Sequence, residues 1–128
     1  MNLLLDTHIL LWVAIGSEKL SAEARNMISN NANRVYFSAT SIWEVVIKNG
    51  LQREDFHMDP YLLRRGLIDN GYDELAITSA HTLGVAHLPP IHKDPFDRLL
   101  VAQAELEGFL LLTSDAVVAE YPGPIQLV

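Results

Sequence analysis

The stretch LLLDTHILLW, residues 3–12, contains the pattern that decides the fold of this chain. Residues 3–5 are uninterrupted leucines, so residues 2–5 predict a short strand buried on both faces, as in a parallel sheet. After three polar residues, residues 9–13 are again all apolar, and this run is too continuous for a half-exposed element, so it predicts a helix. Asp6 therefore follows the first strand directly, at the sheet edge where the functional clefts of α/β folds lie.

The rest of the chain continues this alternation of short strands and helices. Further strands are predicted at residues 35–37, 72–77, 109–113 and 125–127, and further helices at residues 21–30, 39–49, 60–68 and 95–107, with short helical segments after residue 78 or 79 and from residue 115. Short apolar strands between helices predict a parallel sheet covered on both faces. The predicted fold is α/β, a three-layer α/β/α domain with a central parallel sheet of four to five short strands. A single domain, 1–128, is expected from the length.

The composition limits the chemistry that is available. There are no cysteines, which excludes disulfides, thiolate zinc sites and cysteine nucleophiles and leaves oxygen and imidazole ligands. The apolar residues near the start are interrupted at residues 6–8 and follow no basic leader, so neither a signal peptide nor a membrane span is expected. We therefore expect a cytoplasmic protein with no membrane partner.

The net charge of −7, from sixteen acidic and nine basic residues, argues against a nucleic-acid partner when it is taken alone. Clustered acids that hold metal ions would reverse this argument, because bound cations invert the local field and attract phosphate. The positions of the acidic residues therefore decide whether the chain handles nucleic acid.

Four acidic residues, Asp6, Glu44, Asp97 and Asp115, occupy informative positions. Asp6, Glu44 and Asp115 closely follow predicted strands, at the edge where a cleft is expected. Each acid also has a structural explanation, because a carboxylate at a helix start binds unpaired amides and opposes the helix dipole, which contributes about 0.5–2 kcal/mol. For Asp6 before the first helix and Asp115 before a short turn, capping explains the position as well as a functional role does.

Glu44 and Asp97 favour a site more clearly. Glu44 lies in a largely apolar helix, where a carboxylate is unfavourable without a partner. A capping box of Ser41 with Glu44 is the structural alternative, but Ser38 directly follows the strand and is the better N-cap, which puts Glu44 in the second turn. Asp97 lies in another apolar helix, where Asp94 is the better cap, so we expect Asp97 to point into the cleft rather than reinforce the cap.

Convergence of the four carboxylates would require cations. Carboxylates within about 5 Å of one another would repel by roughly 3 kcal/mol per pair at an effective dielectric constant of about 20. Oxygen ligands without thiolates favour Mg²⁺ or Mn²⁺, which retain several waters and engage phosphate oxygens. The four acids therefore predict a nuclease-like metal site.

Around these acids the sequence resembles the PIN-domain family, and within it the VapC-type toxins of bacterial toxin–antitoxin pairs. The segments that carry the resemblance are LLLDTHILLW (3–12), SATSIWEVVIK (38–48), HKDPFDRLLVAQA (92–104) and LLTSD (111–115), each with its acid and in the expected order.

The resemblance implies a parallel-sheet α/β/α fold and divalent-cation-dependent endoribonuclease activity on an RNA substrate. The catalytic and metal-binding acids that it implies are Asp6, Glu44, Asp97 and Asp115, with the hydroxyl of Thr113 in support. It also implies a homodimer and a cognate antitoxin that lays a peptide segment across the active cleft.

Several other residues are candidates for supporting roles. His8 and His92, beside Asp6 and Asp94, could contact phosphate or act as acids, although a lone histidine near a site is more often a structural hydrogen-bonding residue. For Trp12 and Trp43, core packing or a dimer face is favoured over base stacking.

Six basic residues are candidates for holding the RNA backbone, and each is equally explained as a solvated charge or an ion-pair partner. They are Lys48, Arg53, Arg64, Arg65, Lys93 and Arg98. Arg98 has a further alternative, which is to fasten its own helix or to bind the antitoxin.

Two other functions remain open. A phosphatase-like or phosphoacceptor α/β domain also has an Asp after its first strand, but it would need a Lys at another strand end, and no Lys clearly fills that position. A non-catalytic PIN-like module that acts only through a protein partner would retain the acids as caps, and it predicts no cation dependence.

Overall fold

The computed structural model describes residues 1–51 and 58–128 and contains, within these ranges, one sheet of five parallel strands. They are β1 (Asn2–Leu5), β2 (Arg34–Ser38), β3 (Asp73–Leu75), β4 (Leu110–Thr113) and β5 (Ile125–Leu127), in the order β3-β2-β1-β4-β5. The central strand, β1, pairs in parallel with β2 on one side and with β4 on the other. The predicted parallel sheet of four to five short strands is confirmed.

Six α-helices and one 3₁₀ turn connect these strands in the described ranges. They are α1 (Thr7–Ile15), α2 (Ala22–Ser29), α3 (Ala39–Gly50), α4 (Pro60–Asp69), α5 (Ser79–Val85), α6 (Pro95–Glu107) and the 3₁₀ turn at Val118–Glu120. Each α-helix begins after a side chain that accepts a backbone N–H, which satisfies an amide that the helix leaves unpaired. These caps are Asp6, Ser21, Ser38, Asp59, Thr78 and Asp94.

Apolar side chains cover both faces of the sheet. Leu3 and Leu5 of β1 pack with Ile9 of α1 and Val45 of α3 in one core cluster, whereas Leu4 belongs to a second cluster formed largely by α6 and β4. All three leucines are completely buried, and each contributes roughly 1.5–3 kcal/mol by leaving water. Helices therefore cover the sheet from both sides, which confirms the three-layer α/β/α architecture.

Three local expectations differ from the structure. The third strand is limited to Asp73–Leu75 instead of residues 72–77, and the 3₁₀ turn after β4 begins at Val118 and not at Asp115. Trp12 packs against the core, whereas Trp43 is 48% exposed, so core packing is wrong for Trp43 and the alternative, a dimer face, stays a prediction. In the described ranges we find no helix that combines the length and apolar character needed to span a bilayer.

A buried glutamine joins α6 to the start of α3. The Oε1 atom of Gln103 accepts hydrogen bonds from Ser38 Oγ at 2.5 Å and Thr40 Oγ1 at 3.1 Å. Its Nε2 atom donates to the carbonyl of Ala76 at 3.4 Å and lies 3.4 Å from Nδ1 of His81. Each unpaired buried polar group would cost about 1–3 kcal/mol, so the fully paired amide favours one arrangement of α3 against α6.

The substitution Gln103→Leu should lower the free energy of unfolding by about 2–4 kcal/mol, because it leaves the hydroxyls of Ser38 and Thr40 without their acceptor. Urea denaturation followed by circular dichroism measures the change. Gln126→Leu is the matched control, since Gln126 binds Glu23 at the surface, and it should change stability by less than about 0.5 kcal/mol. Equal effects of the two substitutions would contradict a special role for Gln103.

Candidate active site

Asp6 lies at the carboxyl end of β1 and is only 4% exposed. Its Oδ1 atom accepts the backbone N–H of Ile9 at 2.9 Å, and its Oδ2 atom accepts the hydroxyl of Thr113 at 2.5 Å. Burial raises the pKa of Asp6, and these two hydrogen bonds act in the opposite direction. Asp6 is therefore both the cap of α1 and a buried acid in the cleft, and Thr113 supports it from the end of β4.

Glu44 lies on α3 and is only 3% exposed. Its Oε1 atom accepts the hydroxyl of Thr7 at 2.6 Å, and its Oε2 atom pairs with the ammonium group of Lys48 at 2.6 Å. The cap of α3 is Ser38, which accepts the N–H of Thr40, so Glu44 lies in the second turn of the helix, as predicted. Glu44 is thus a buried carboxylate with partners, tied through Thr7 to the β1–α1 junction.

Asp97 lies in the first turn of α6, whose cap is Asp94. Asp94 Oδ1 accepts the backbone N–H of Phe96 at 2.8 Å and that of Asp97 at 3.2 Å, so the cap assigned from the sequence is correct. Burial raises the pKa of Asp97 to about 7, with further contributions from the negative charges of Asp94, Glu44, Asp6 and Asp115. The other three predicted acids therefore each lie near enough to act on Asp97.

Asp115 is the most exposed of the four acids, with 40% of its side chain accessible. Its Oδ1 atom accepts the backbone N–H of Val117 at 2.8 Å, and its own N–H donates to the hydroxyl of Thr113 at 3.0 Å. Thr113 therefore contacts both Asp6 and Asp115 from one side of the cleft. The side chain of Asp115 thus holds the segment between β4 and the 3₁₀ turn, and its charge acts on Asp97.

His92 connects the two outer acids. Its Nε2 atom lies 3.3 Å from Oδ2 of Asp97 and 3.6 Å from Oδ2 of Asp115, a spacing that would also suit three ligands of one metal ion. However, the backbone N–H of Asp94 donates to Nδ1 of His92 at 3.1 Å, so in the neutral ring Nδ1 is an acceptor and Nε2 carries the proton. The imidazole therefore presents an N–H to the acids, which does not suit a metal ligand.

The other predicted residues are distributed around this cluster or away from it. His8 is exposed, with its ring 6.1 Å from that of Trp12, and Lys93 is exposed as well. Arg53 lies outside the described residues. Arg64 pairs with Glu74 at 3.0 Å on the surface, and Arg65 is exposed.

Arg98 forms hydrogen bonds within its own chain, which is one of the alternatives to RNA binding given above. Its guanidinium group donates to the carbonyls of Pro89 at 3.0 Å and Val85 at 3.2 Å and to the hydroxyl of Tyr121 at 3.1 Å. Tyr121 in turn accepts the N–H of His92 at 2.8 Å. Arg98 is therefore directed into the fold, where it stabilises the loop that carries His92.

Sequence reasoning missed three polar residues that support the acids: Thr7, Tyr121 and Gln103. Thr7 donates to Glu44, Tyr121 binds the loop of His92, and Gln103 holds the cap of α3. Thr7 is a polar residue next to a site acid, and Gln103 is a polar residue within an apolar helix, so the sequence contained a signal for both. The sequence contains no comparable signal for Tyr121, whose partner His92 is 29 residues away.

Comparison with known protein families assigns this fold. The family model of the PIN domain matches residues 3–124. The chain belongs to the PIN-domain family. No curated protein sequence matches it significantly.

Solved structures share the PIN fold with this chain at low sequence identity. VapBC2 from Rickettsia felis, bound to a DNA fragment from the promoter, is similar with a TM-score of 0.73 and 14% identity over 100% of this chain and 99% of the other. DNA-bound VapBC from Salmonella typhimurium has a TM-score of 0.67 and 14% identity, with coverage of 98% and 97%. VapBC-1 from nontypeable Haemophilus influenzae has a TM-score of 0.63 and 17% identity, with coverage of 99% and 98%.

The raised pKa of Asp97 predicts how the stability of the metal-free PIN domain depends on pH. The folded protein retains the proton of Asp97 at pH values where the unfolded chain has lost it, because the pKa rises from 3.8 to about 7 on folding. The resulting stabilisation is complete below about pH 4 and is lost as the pH rises through about 7. In EDTA, Asp97→Asn should therefore become increasingly more stable than the wild type between these two pH values.

Urea denaturation across this pH range measures the difference in unfolding free energy between variant and wild type. The matched control is Asp69→Asn, because Asp69 is an exposed carboxylate at the end of α4 that leads into β3, away from the cleft. Its difference from the wild type is the baseline against which the change in Asp97→Asn is measured. A constant difference for Asp97→Asn would contradict the raised pKa.

Proposed function

We propose that this chain is a divalent-cation-dependent endoribonuclease of the VapC type, the toxin of a type II toxin–antitoxin pair in the cytoplasm. The observation that carries the proposal is the setting of Asp97, whose pKa is raised to about 7 by burial and by the charges of neighbouring acids, among them Glu44, Asp6 and Asp115. This setting supports a common site for the four acids. Such a cluster suits the handling of cations and phosphate more than capping.

The donor atoms fit Mg²⁺ or Mn²⁺. Carboxylate oxygens of Asp6, Glu44, Asp97 and Asp115 would hold the ion, since hard divalent cations prefer oxygen ligands. A bound cation would offset the burial of the charge and the carboxylate repulsion, which together raise the pKa of Asp97. Lys48 already supplies one positive charge at Glu44, which is what a carboxylate cluster of this kind requires.

Each part of the cleft has a role in the proposed reaction, which is hydrolysis of an RNA phosphodiester bond. When it is bound, the divalent cation supplies the positive charge that stabilises the scissile phosphate and the leaving oxygen and promotes attack by water. Thr113 and Thr7 orient Asp6 and Glu44 through their hydroxyls. Asp97 is the carboxylate best suited to accept the proton of the attacking water, because its oxygens are not used by amides or hydroxyls of the described residues.

The proposed partners follow from the family resemblance and from the similar structures. We infer that an antitoxin covers the cleft and that the toxin is a homodimer. The three similar structures are all VapBC proteins, and two of them are bound to DNA, which supports the choice of a toxin–antitoxin pair. The phosphatase-like alternative is less favoured, because both carboxylate oxygens of Asp6 accept hydrogen bonds and Lys48 is paired on a helix with Glu44.

The proposed activity is tested by incubating the purified protein, freed of any antitoxin, with structured and unstructured RNAs in Mn²⁺, Mg²⁺ or EDTA. Cleavage should require the cation, and Asp6→Asn and Glu44→Gln should each lower the rate by about 10²-fold or more, because each removes a charge from the site. The matched control is Glu23→Gln, an exposed acid on α2. Cleavage that survives EDTA and both site substitutions would exclude a metal-dependent nuclease.

The proton on Nε2 of His92 predicts that this residue is not a ligand of the cation. His92→Gln retains an N–H donor near the same position, so Mn²⁺ affinity should change by less than about threefold, whereas Asp97→Asn should weaken it by about tenfold or more. Titration of Mn²⁺ followed by electron paramagnetic resonance measures both. A nitrogen hyperfine coupling in the wild type that disappears in His92→Gln would show direct ligation and contradict the prediction.

A further inference from the structure

An aromatic pair lies beside two of the site acids. Trp43 directly precedes Glu44 on α3, and Phe96 directly precedes Asp97 on α6. Their rings meet edge-on, with centroids 4.9 Å apart and an angle of 73° between the ring planes. The contact therefore bridges the same two helices that bring Glu44 and Asp97 together. Residues adjacent along a helix do not share a face, so the contact itself locates the pair: Phe96 lies in the first turn of α6 with Asp97, and Trp43 meets it there.

Trp43 exposes a large part of its indole ring to solvent. It is 48% accessible, whereas the other tryptophan, Trp12, is half-buried against the core. An edge-on contact with Phe96 occupies at most one face of the indole ring. Exposed indole surface is unfavourable in water, since burial of apolar surface contributes roughly 25 cal/mol per Å². The packing of the chain accounts for Trp12 but leaves the exposure of Trp43 unexplained.

The charge of the cleft favours a neutral contact with a nucleic acid. The chain has a net charge of −7, and its acid cluster opposes the phosphate backbone except where a cation is bound. Stacking of a nucleobase on an aromatic ring is not opposed by this charge and contributes about 1–3 kcal/mol per base. Bases of single-stranded RNA are accessible to such stacking, whereas those of a duplex are stacked on one another.

We propose that Trp43, held in place by Phe96, is the stacking site for an unpaired nucleobase of the RNA beside the cleaved phosphate. This inference rests on the proposed nuclease function and adds the residue that contacts a base of the substrate. Trp43 binds the base that flanks the scissile bond, and Phe96 prevents the indole from rotating away. Affinity for RNA in this acidic cleft then depends on bases as well as on the cation.

A protein partner is the competing occupant of this surface. Val46 and Ile47 are also exposed on α3, three and four residues after Trp43, and could continue an apolar face. Trp43 is distinguished from them by its contact with Phe96 on the second acid-bearing helix. The experiment below separates the two occupants.

The two tryptophans allow a direct test by fluorescence. In the Asp6→Asn background, which the proposed mechanism leaves unable to cleave, a short single-stranded RNA is titrated in Mn²⁺ against two further variants. Trp12→Phe retains only Trp43, and its emission should be quenched by the RNA. Trp43→Phe retains only Trp12 and should show no quenching. An oligomer of abasic ribose phosphates should quench neither variant, since it has no base to stack.

The cleavage reaction provides the second measurement. In the otherwise wild-type chain, Trp43→Leu should raise KM for single-stranded RNA by about 5- to 100-fold with little change in kcat, and Trp43→Phe should restore most of the loss. Trp12→Leu is unsuitable as a control because it affects the core, so Val46→Ala is used. Val46 is exposed on the same helix and should leave KM unchanged.

Three outcomes of the RNA experiments would overturn the stacking site. They are unquenched Trp43 emission, an unchanged KM in Trp43→Leu, or quenching that the abasic oligomer reproduces. A shift of Trp43 emission with rising protein concentration, but not with RNA, would assign the surface to a second copy of the chain and also overturn the proposal. Cation-dependent cleavage by the wild type in any of these cases would leave the proposed nuclease function intact. Absence of cleavage would refute that function separately.

Discussion

Repulsion between carboxylates that share a partly buried cleft is the constraint on which the rest of this structure depends. Asp6 and Glu44 are almost fully buried, and Asp97 is held near them by a helix whose cap is a further carboxylate, Asp94. Such a group of charges opposes folding unless hydrogen-bond donors or cations stabilise the carboxylates. The amide of Ile9 and the hydroxyl of Thr113 stabilise Asp6. The hydroxyl of Thr7 and the ammonium group of Lys48 stabilise Glu44. Asp97 lies 3.3 Å from Nε2 of His92, and burial, followed by the charges of the neighbouring carboxylates, raises its pKa to about 7.

The parallel sheet explains why Asp6, Glu44 and Asp115 lie at one edge, which the start of α6 with Asp97 also reaches. In a parallel sheet every strand ends at the same edge, so residues that follow β1, β2 and β4 become neighbours although they are far apart along the chain. Hydroxyl groups then connect the segments, because Thr7 reaches Glu44 and Thr113 reaches both Asp6 and Asp115. A hydroxyl can donate to a carboxylate without adding charge, which suits a site that must still accept a cation.

Features that depend on residues close together in the sequence could be predicted from it. The buried β1 strand, the caps Ser38 and Asp94, and the position of Glu44 beyond the first turn of α3 belong to this group. The partner of Gln103 could not, since Ser38 is 65 residues away and the contact depends on how α3 packs against α6. The exposure of Trp43 could not either, because an apolar residue in an apolar helix predicts burial until the surrounding packing is known.

The place of β4 in the sheet has a consequence for the order in which the cleft is assembled. β1 has β2 as its neighbour on one side, but its other edge pairs with residues 110–112, which a ribosome adds after the residues of β2 and β3. Until Thr113 has been added, Asp6 lacks the hydroxyl that binds it, and Asp115 is absent. A growing chain therefore cannot contain the complete acid cluster, and the timing of synthesis keeps the cleft unformed until translation of the domain is nearly finished.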